Sequence, residues 1–173
     1  VCSYRIILEN GFLADYEKLE EPVSDPDSAA ASPTVFVRLC NLYLCVDPWN
    51  EQEIPYVDTM NPKAVQEFIH VTHERYEKAL GEDFGTTAFA IFTDEPRLHN
   101  RNLLPYPEYE GNTTLAYTDD FSDTFAEAYG IPFLDILPEV LWELPDGRPN
   151  TMRYAYNDHL AERFASSYSD QIG

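Results

Sequence analysis

Residues 87–96 read TAFAIFTDEP. Phe89-Ala90-Ile91-Phe92 is apolar at every position instead of at every second one. A strand covered on both faces reads this way, as parallel strands under helices do. The reading predicts a buried parallel strand over residues 88–93. Two adjacent acids, Asp94 and Glu95, and then Pro96 stand at its carboxyl end.

What precedes the strand fits the same unit. Asn61-Pro62 is an N-cap followed by proline at the first helical position. Val65, Phe68, Ile69, Thr72, Tyr76 and Leu80 then recur at three- and four-residue spacing. They form one apolar face of a helix over residues 61–80, and Gly81 closes it. Helix, short connection and buried strand make half of a βαβ unit.

The flanks differ in character. Asn10-Gly11 between two apolar stretches predicts a hairpin over residues 4–19. Residues 20–34 are acidic, rich in Pro and Ser and without periodicity, as in a flexible loop. Residues 35–47 read as strand. Together residues 1–54 form a β-rich, antiparallel insertion. On the other side, residues 96–117 are a long Tyr- and Pro-rich loop. Thr118 is placed to cap a short helix with the stripe Phe121, Phe125 and Tyr129, ended by Gly130. A second helix is expected over residues 135–143, with Pro138 in its first turn. Asn150 or Thr151 caps a long third helix, whose stripe is Tyr156, Leu160, Phe164, Tyr168 and Ile172.

The chain has 173 residues and a formal net charge of −20. Phosphate-rich partners would be repelled, so nucleic acid and anionic membranes are not expected as partners. Solubility is the plain reading of the acids. Acids with 12 Tyr and 10 Phe also suit a carbohydrate surface, where rings stack and carboxylates accept hydroxyls. No stretch approaches the roughly 18 apolar residues of a membrane span. Cys2, Cys40 and Cys45 give neither a disulfide framework nor a zinc spacing. Asn112-Thr113-Thr114 matches a glycosylation sequon. The chain begins at Val1, without an initiator Met, as a piece of a longer protein would.

Candidate chemistry centres on Glu95. Functional residues of α/β folds gather at the carboxyl ends of parallel strands. Glycoside hydrolysis needs two carboxyl groups across the scissile bond, one of them a proton donor. Glu95 at a strand end among aromatics suits that donor. Asp94 points to the opposite side in strand geometry, so it suits orienting a substrate hydroxyl or a nearby cation. The competing reading of Asp-Glu-Pro is a solvated strand-to-loop turn. Trp49 and Tyr56 are placed to stack on a sugar or, as is commoner for such rings, to anchor packing. His70 and His73 flank the apolar helix stripe without the His-Glu-x-x-His pattern of zinc hydrolases. No metal ligand and no cofactor is assigned, and no phosphate loop or serine or cysteine nucleophile motif occurs.

Residues 55–96, PYVDTMNPKAVQEFIHVTHERYEKALGEDFGTTAFAIFTDEP, resemble a segment of large bacterial and fungal glycosyl hydrolases grouped near α-L-rhamnosidases. The carrying features are Tyr-Val-Asp, the Asn-Pro helix start, the Thr-His and Arg-Tyr pairs and a strand ending in FTDEP. Residues 153–173, RYAYNDHLAERFASSYSDQIG, resemble their next long helix. The likeness covers roughly residues 35–173. It implies an α/β fold, part of a (β/α)8 barrel, with residues 55–173 as the barrel segment and 1–54 as the antiparallel β insertion. It implies hydrolysis of plant or microbial oligo- or polysaccharide, with Glu95 as the general acid/base. Asp94, Trp49, Tyr56, Asp58 and Arg153 are the candidate substrate-binding residues, and the hydroxyl-binding role of the family's residue before the Glu is not carried over to Asp94. Better-known retaining barrel enzymes carry Asn-Glu where this chain has Asp94-Glu95. The partner carboxylate is expected on a later strand, and the rest of the parent chain is an expected partner. Two other readings stand beside this one: a carbohydrate-binding or structural barrel portion without catalysis, and a metal-dependent barrel hydrolase.

Overall fold

The computed structural model describes residues 2–20, 56–94, 96, 98 and 104–173, with the backbone of 34–37, 44–46 and 53–55. The molecule is mixed α/β, and its contacts separate two compact units. The first unit comprises Val1–Asn41, Arg101–Leu115 and Asp119–His159; the second comprises Leu42–Asn100, Ala116–Thr118 and Leu160–Gly173.

The first unit opens with the expected hairpin, β1 (Cys2–Glu9) and β2 (Phe12–Leu19). Asn10 and Gly11 lie at φ 53° and 81°, as a tight two-residue turn between right-twisted strands requires. Strand β3 (Thr34–Val37) pairs antiparallel on the other side of β1, so the order is β2-β1-β3. Tyr4, Ile6 and Leu13 are buried.

Three helical segments complete this core: α3 (Phe121–Tyr129), α4 (Phe133–Leu141) and the start of α5 (Thr151–Phe164). Phe121 and Phe125 on α3, Phe133 on α4 and Tyr156 on α5 are all nearly inaccessible to solvent. Their rings pack mostly edge to face; Phe121 and Phe133 have centroids 5.1 Å apart. Such contacts add about 0.5–1.5 kcal/mol per pair beyond the area buried. Gly130 ends α3 at φ 72°, and Asn150 Oδ1 caps α5 by accepting from the Arg153 amide at 2.8 Å.

The second unit holds the two-stranded antiparallel sheet β4 (Leu44–Val46) and β5 (Glu53–Pro55). It also holds α1 (Pro62–Val71) and α2 (His73–Leu80). Asn61 caps α1 as the sequence indicates, its Oδ1 accepting from the Lys63 amide at 3.0 Å. Met60, Val65, Leu160 and Tyr168 are buried here. The Met60 carbonyl accepts from Arg163 Nη2 at 2.8 Å and from Ser167 Oγ at 2.9 Å.

Several expectations need correction. The helix over residues 61–80 is two helices broken at Thr72 (φ −119°, ψ −74°), whose hydroxyl turns back onto the Phe68 carbonyl. Side-chain competition for a backbone carbonyl is a known way to break a helix. Thr118 does not cap α3. Asp120 stands at that position, and Thr118 is turned to Asp58. The helix expected over 135–143 is Phe133–Leu141, so Pro138 lies inside it.

The largest correction concerns residues 88–93, which form no ladder and are not buried. Ala88 makes a single parallel bridge to Phe84, and Phe89 and Phe92 are 83% and 86% exposed. Apolar character on both faces reports what side chains could pack on. The covering layers themselves are missing among the described residues. The expected loop over residues 20–34 lies almost wholly outside the described residues.

Candidate active site around residues 88–94

The approach to the candidate acid is a tight turn. After α2, Gly81–Asp83 makes one 3-10 turn. The Ala88 amide donates to the Asp83 carbonyl at 2.9 Å, and the Gly85 amide donates to the Ala88 carbonyl at 2.9 Å. Gly85 lies in the left-handed region (φ 83°) within this turn. Beyond it, residues 89–94 continue without regular secondary structure to Asp94, which is exposed. Glu95 and Trp49 lie outside the described residues.

Asp58 is engaged locally. Its Oδ2 accepts from the Thr118 hydroxyl at 2.7 Å, and its Oδ1 from the Met60 amide at 3.0 Å. The first bond ties the entry of α1 to Thr118 within the second unit, and the second closes a local turn before α1. Thr118 is 3% exposed, so its hydroxyl depends on that carboxylate. Tyr56 is half-buried, two residues before Asp58. Asp58 therefore has a structural role in this unit.

Arg153 belongs to the first unit and is similarly committed. Its Nε donates to the Val140 carbonyl at 2.9 Å, and its Nη1 pairs with Glu143. The Val140 carbonyl lies in the last turn of α4, where helix carbonyls lack intrahelical donors. Asn150 Nδ2 donates to two neighbouring carbonyls, those of Glu139 and Trp142. Asn150 and Arg153 thus fasten the start of α5 to the end of α4.

Three histidines among the described residues find partners. His70 Nδ1 lies 3.0 Å from Glu74 one turn on. His73 Nδ1 lies 2.9 Å from the Thr72 hydroxyl, with its ring edge-on to Phe68. His159 is buried against Phe121 and Phe125, with Nε2 2.9 Å from the Thr124 hydroxyl. Among the described residues no three His, Cys, Asp or Glu side chains gather as a metal site. No described helix is long and apolar enough to cross a membrane.

Two arrangements in the first unit escape a reading of the sequence alone. One is a buried bond from the Tyr4 hydroxyl to the Leu134 carbonyl. The other is a groove in which Tyr16 Oη donates to Glu139 Oε1 at 2.8 Å. Partners 130 and 123 residues apart share no local spacing. Burial first, then the neighbouring Cys2 for Tyr4 and Glu139 for Tyr16, pushes both phenols well above the ordinary tyrosine value of 10.0, so each stays a neutral donor.

No protein family, no curated protein and no solved structure matches the chain.

Proposed function

We propose that the chain is a segment of a glycoside hydrolase barrel, in which Glu95 delivers a proton to the leaving oxygen. The supporting observation is the character of residues 89–92. Their side chains are apolar on both faces, yet Phe89, Ile91 and Phe92 stand exposed. Among the described residues, no ladder beyond the Phe84–Ala88 bridge satisfies their backbone. A segment with open backbone and two apolar faces is suited to the interior of a sheet. There, strands flank it and helices or a barrel core cover it. In a barrel its carboxyl end opens onto the substrate, which places Asp94 and Glu95 at the chemistry. The resemblance of residues 55–96 to sugar hydrolases points the same way.

In this reading Glu95 acts in its protonated form, as a general acid. It gives that proton to the glycosidic oxygen as the bond to the anomeric carbon breaks. A second carboxylate on a facing strand stabilises the oxocarbenium-like centre or attacks it. Asp94 orients a sugar hydroxyl. The test is hydrolysis of a panel of neutral aryl glycosides and oligosaccharides by the intact parent protein. Turnover lost in Glu95→Gln, with sugar binding retained, is the expected result. Binding without any turnover in the unaltered protein would instead favour the non-catalytic carbohydrate-binding reading.

A further inference from the structure

A second feature lies wholly within the first unit. Residues 13–16 of β2, Glu139 of α4, Leu144 and Arg148 line an open groove of about 170 Å3. The strand is shaped for it. Ile7 pairs with Asp15 and Leu8 with Leu13, so Ala14 is an extra residue without a partner across the ladder. Such a bulge bends a strand and re-aims the side chains beside it. The Leu13 amide, turned away from β1, donates to the Glu143 carbonyl at 2.8 Å and holds the opposite wall in place. Asn150 and Arg153 fix the end of α4 behind it.

The polar groups of the groove are only half used. Glu139 Oε1 takes the Tyr16 hydroxyl, and Asp15 Oδ1 takes the Tyr16 amide at 2.9 Å. Among the described residues, nothing bonds the second oxygen of either carboxylate or the Arg148 guanidinium. Tyr16 stays a neutral phenol, so it adds no charge. Ala14 and Leu144 give the groove an apolar edge, and Leu13 lies buried beneath it. Two carboxylates in a chain of net charge −20 disfavour an anion. The guanidinium disfavours a bare cation. The volume is below the roughly 300–1,000 Å3 of drug-sized pockets, so it suits a single small ring.

We propose that this groove binds a neutral pyranose. The free carboxylate oxygens accept its hydroxyl protons, the Arg148 guanidinium donates to its oxygens, and its C–H face lies on Ala14 and Leu144. This stands apart from the proposed hydrolysis, because none of these residues belongs to the 88–95 segment. Affinity is expected on the order of millimolar, as for a shallow site with few contacts.

The experiment is an amide NMR titration of the isotopically labelled 173-residue chain with methyl glucoside, galactoside and rhamnoside. Glycine and alanine serve as zwitterionic controls. Saturable shifts confined to residues 13–16 and 139–148 are expected with at least one glycoside. Arg148→Met keeps the aliphatic stem at an exposed position and removes the donors. It should weaken binding about ten-fold or more, with the rest of the spectrum unchanged. Glu95→Gln should leave the titration unaltered, so failure of the hydrolase reading and failure of this one are told apart. Absence of saturable shifts with every glycoside would overturn the proposal. So would equal binding by Arg148→Met, or saturation by the zwitterions alone.

Discussion

Pro138 sits inside α4, where it has no amide to give the carbonyl four residues earlier, that of Leu134. The Tyr4 hydroxyl donates to that carbonyl instead, and itself accepts from the Cys2 thiol at 3.3 Å. A helix defect is thus closed by a strand residue 130 positions away. Tyr4→Phe keeps the ring and removes the donor, so it should cost about 1–3 kcal/mol, the penalty for an unsatisfied buried acceptor. Pro138→Ala returns an amide to Leu134. In that background the cost of Tyr4→Phe should shrink, and a double-mutant cycle by denaturant unfolding reads the coupling. Equal cost in both backgrounds would mean that the two residues act independently. The sequence does not announce this arrangement. A helix starting at residue 135 puts Pro138 in its first turn, where no carbonyl loses a partner, and nothing local links residue 4 to residue 134.

At the scale of elements, legibility follows how local the cause is. Asn10-Gly11 and Asn61-Pro62 act within four residues, and both the hairpin and the start of α1 lie where those pairs place them. Gly11 also carries a tertiary constraint: a Cβ there would sit 3.2 Å from Pro107 Cγ, with φ at 81°. Gly11→Ala should cost about 1–3 kcal/mol. Gly130→Ala, left-handed at φ 72° but with nothing within 4 Å of a Cβ, should cost less. Thermal unfolding of the two variants ranks them, and the reverse order would contradict the close approach to Pro107. The break at Thr72 and the cap at Asp120 were not legible, because each depends on where one hydroxyl finds its acceptor. Residues 88–93 mislead for a third reason. Their apolar pattern states a need for cover, and the described residues do not meet it. Of the candidate site, Asp58 and Arg153 were legible as polar residues of interest, but not their bonds to Thr118 and to the end of α4.

The molecule as a whole combines a net charge of −20 with a run of exposed aromatic residues. Repulsion opposes association, whereas Phe89, Ile91 and Phe92 favour it. Phe89→Ser with Phe92→Ser should reduce binding of a hydrophobic dye by the 173-residue chain and change its stability by no more than about 0.5 kcal/mol. In the parent protein the same pair should be strongly destabilising, about 3 kcal/mol or more per ring, as for a buried Phe. Equal, small effects in both would remove the argument for an interior strand. Whether Glu95 delivers a proton to the leaving oxygen is read from the dependence of turnover on the leaving group. Turnover by Glu95→Gln is to be compared with the unaltered parent enzyme on aryl glycosides of graded leaving-group basicity. General acid catalysis is worth about 10²–10⁴-fold. The account predicts a loss of that order on poorly leaving alcohols, dwindling towards none on activated phenols that depart unprotonated. A loss equal across the series, or near-normal turnover on the poorest leaving group, would contradict it.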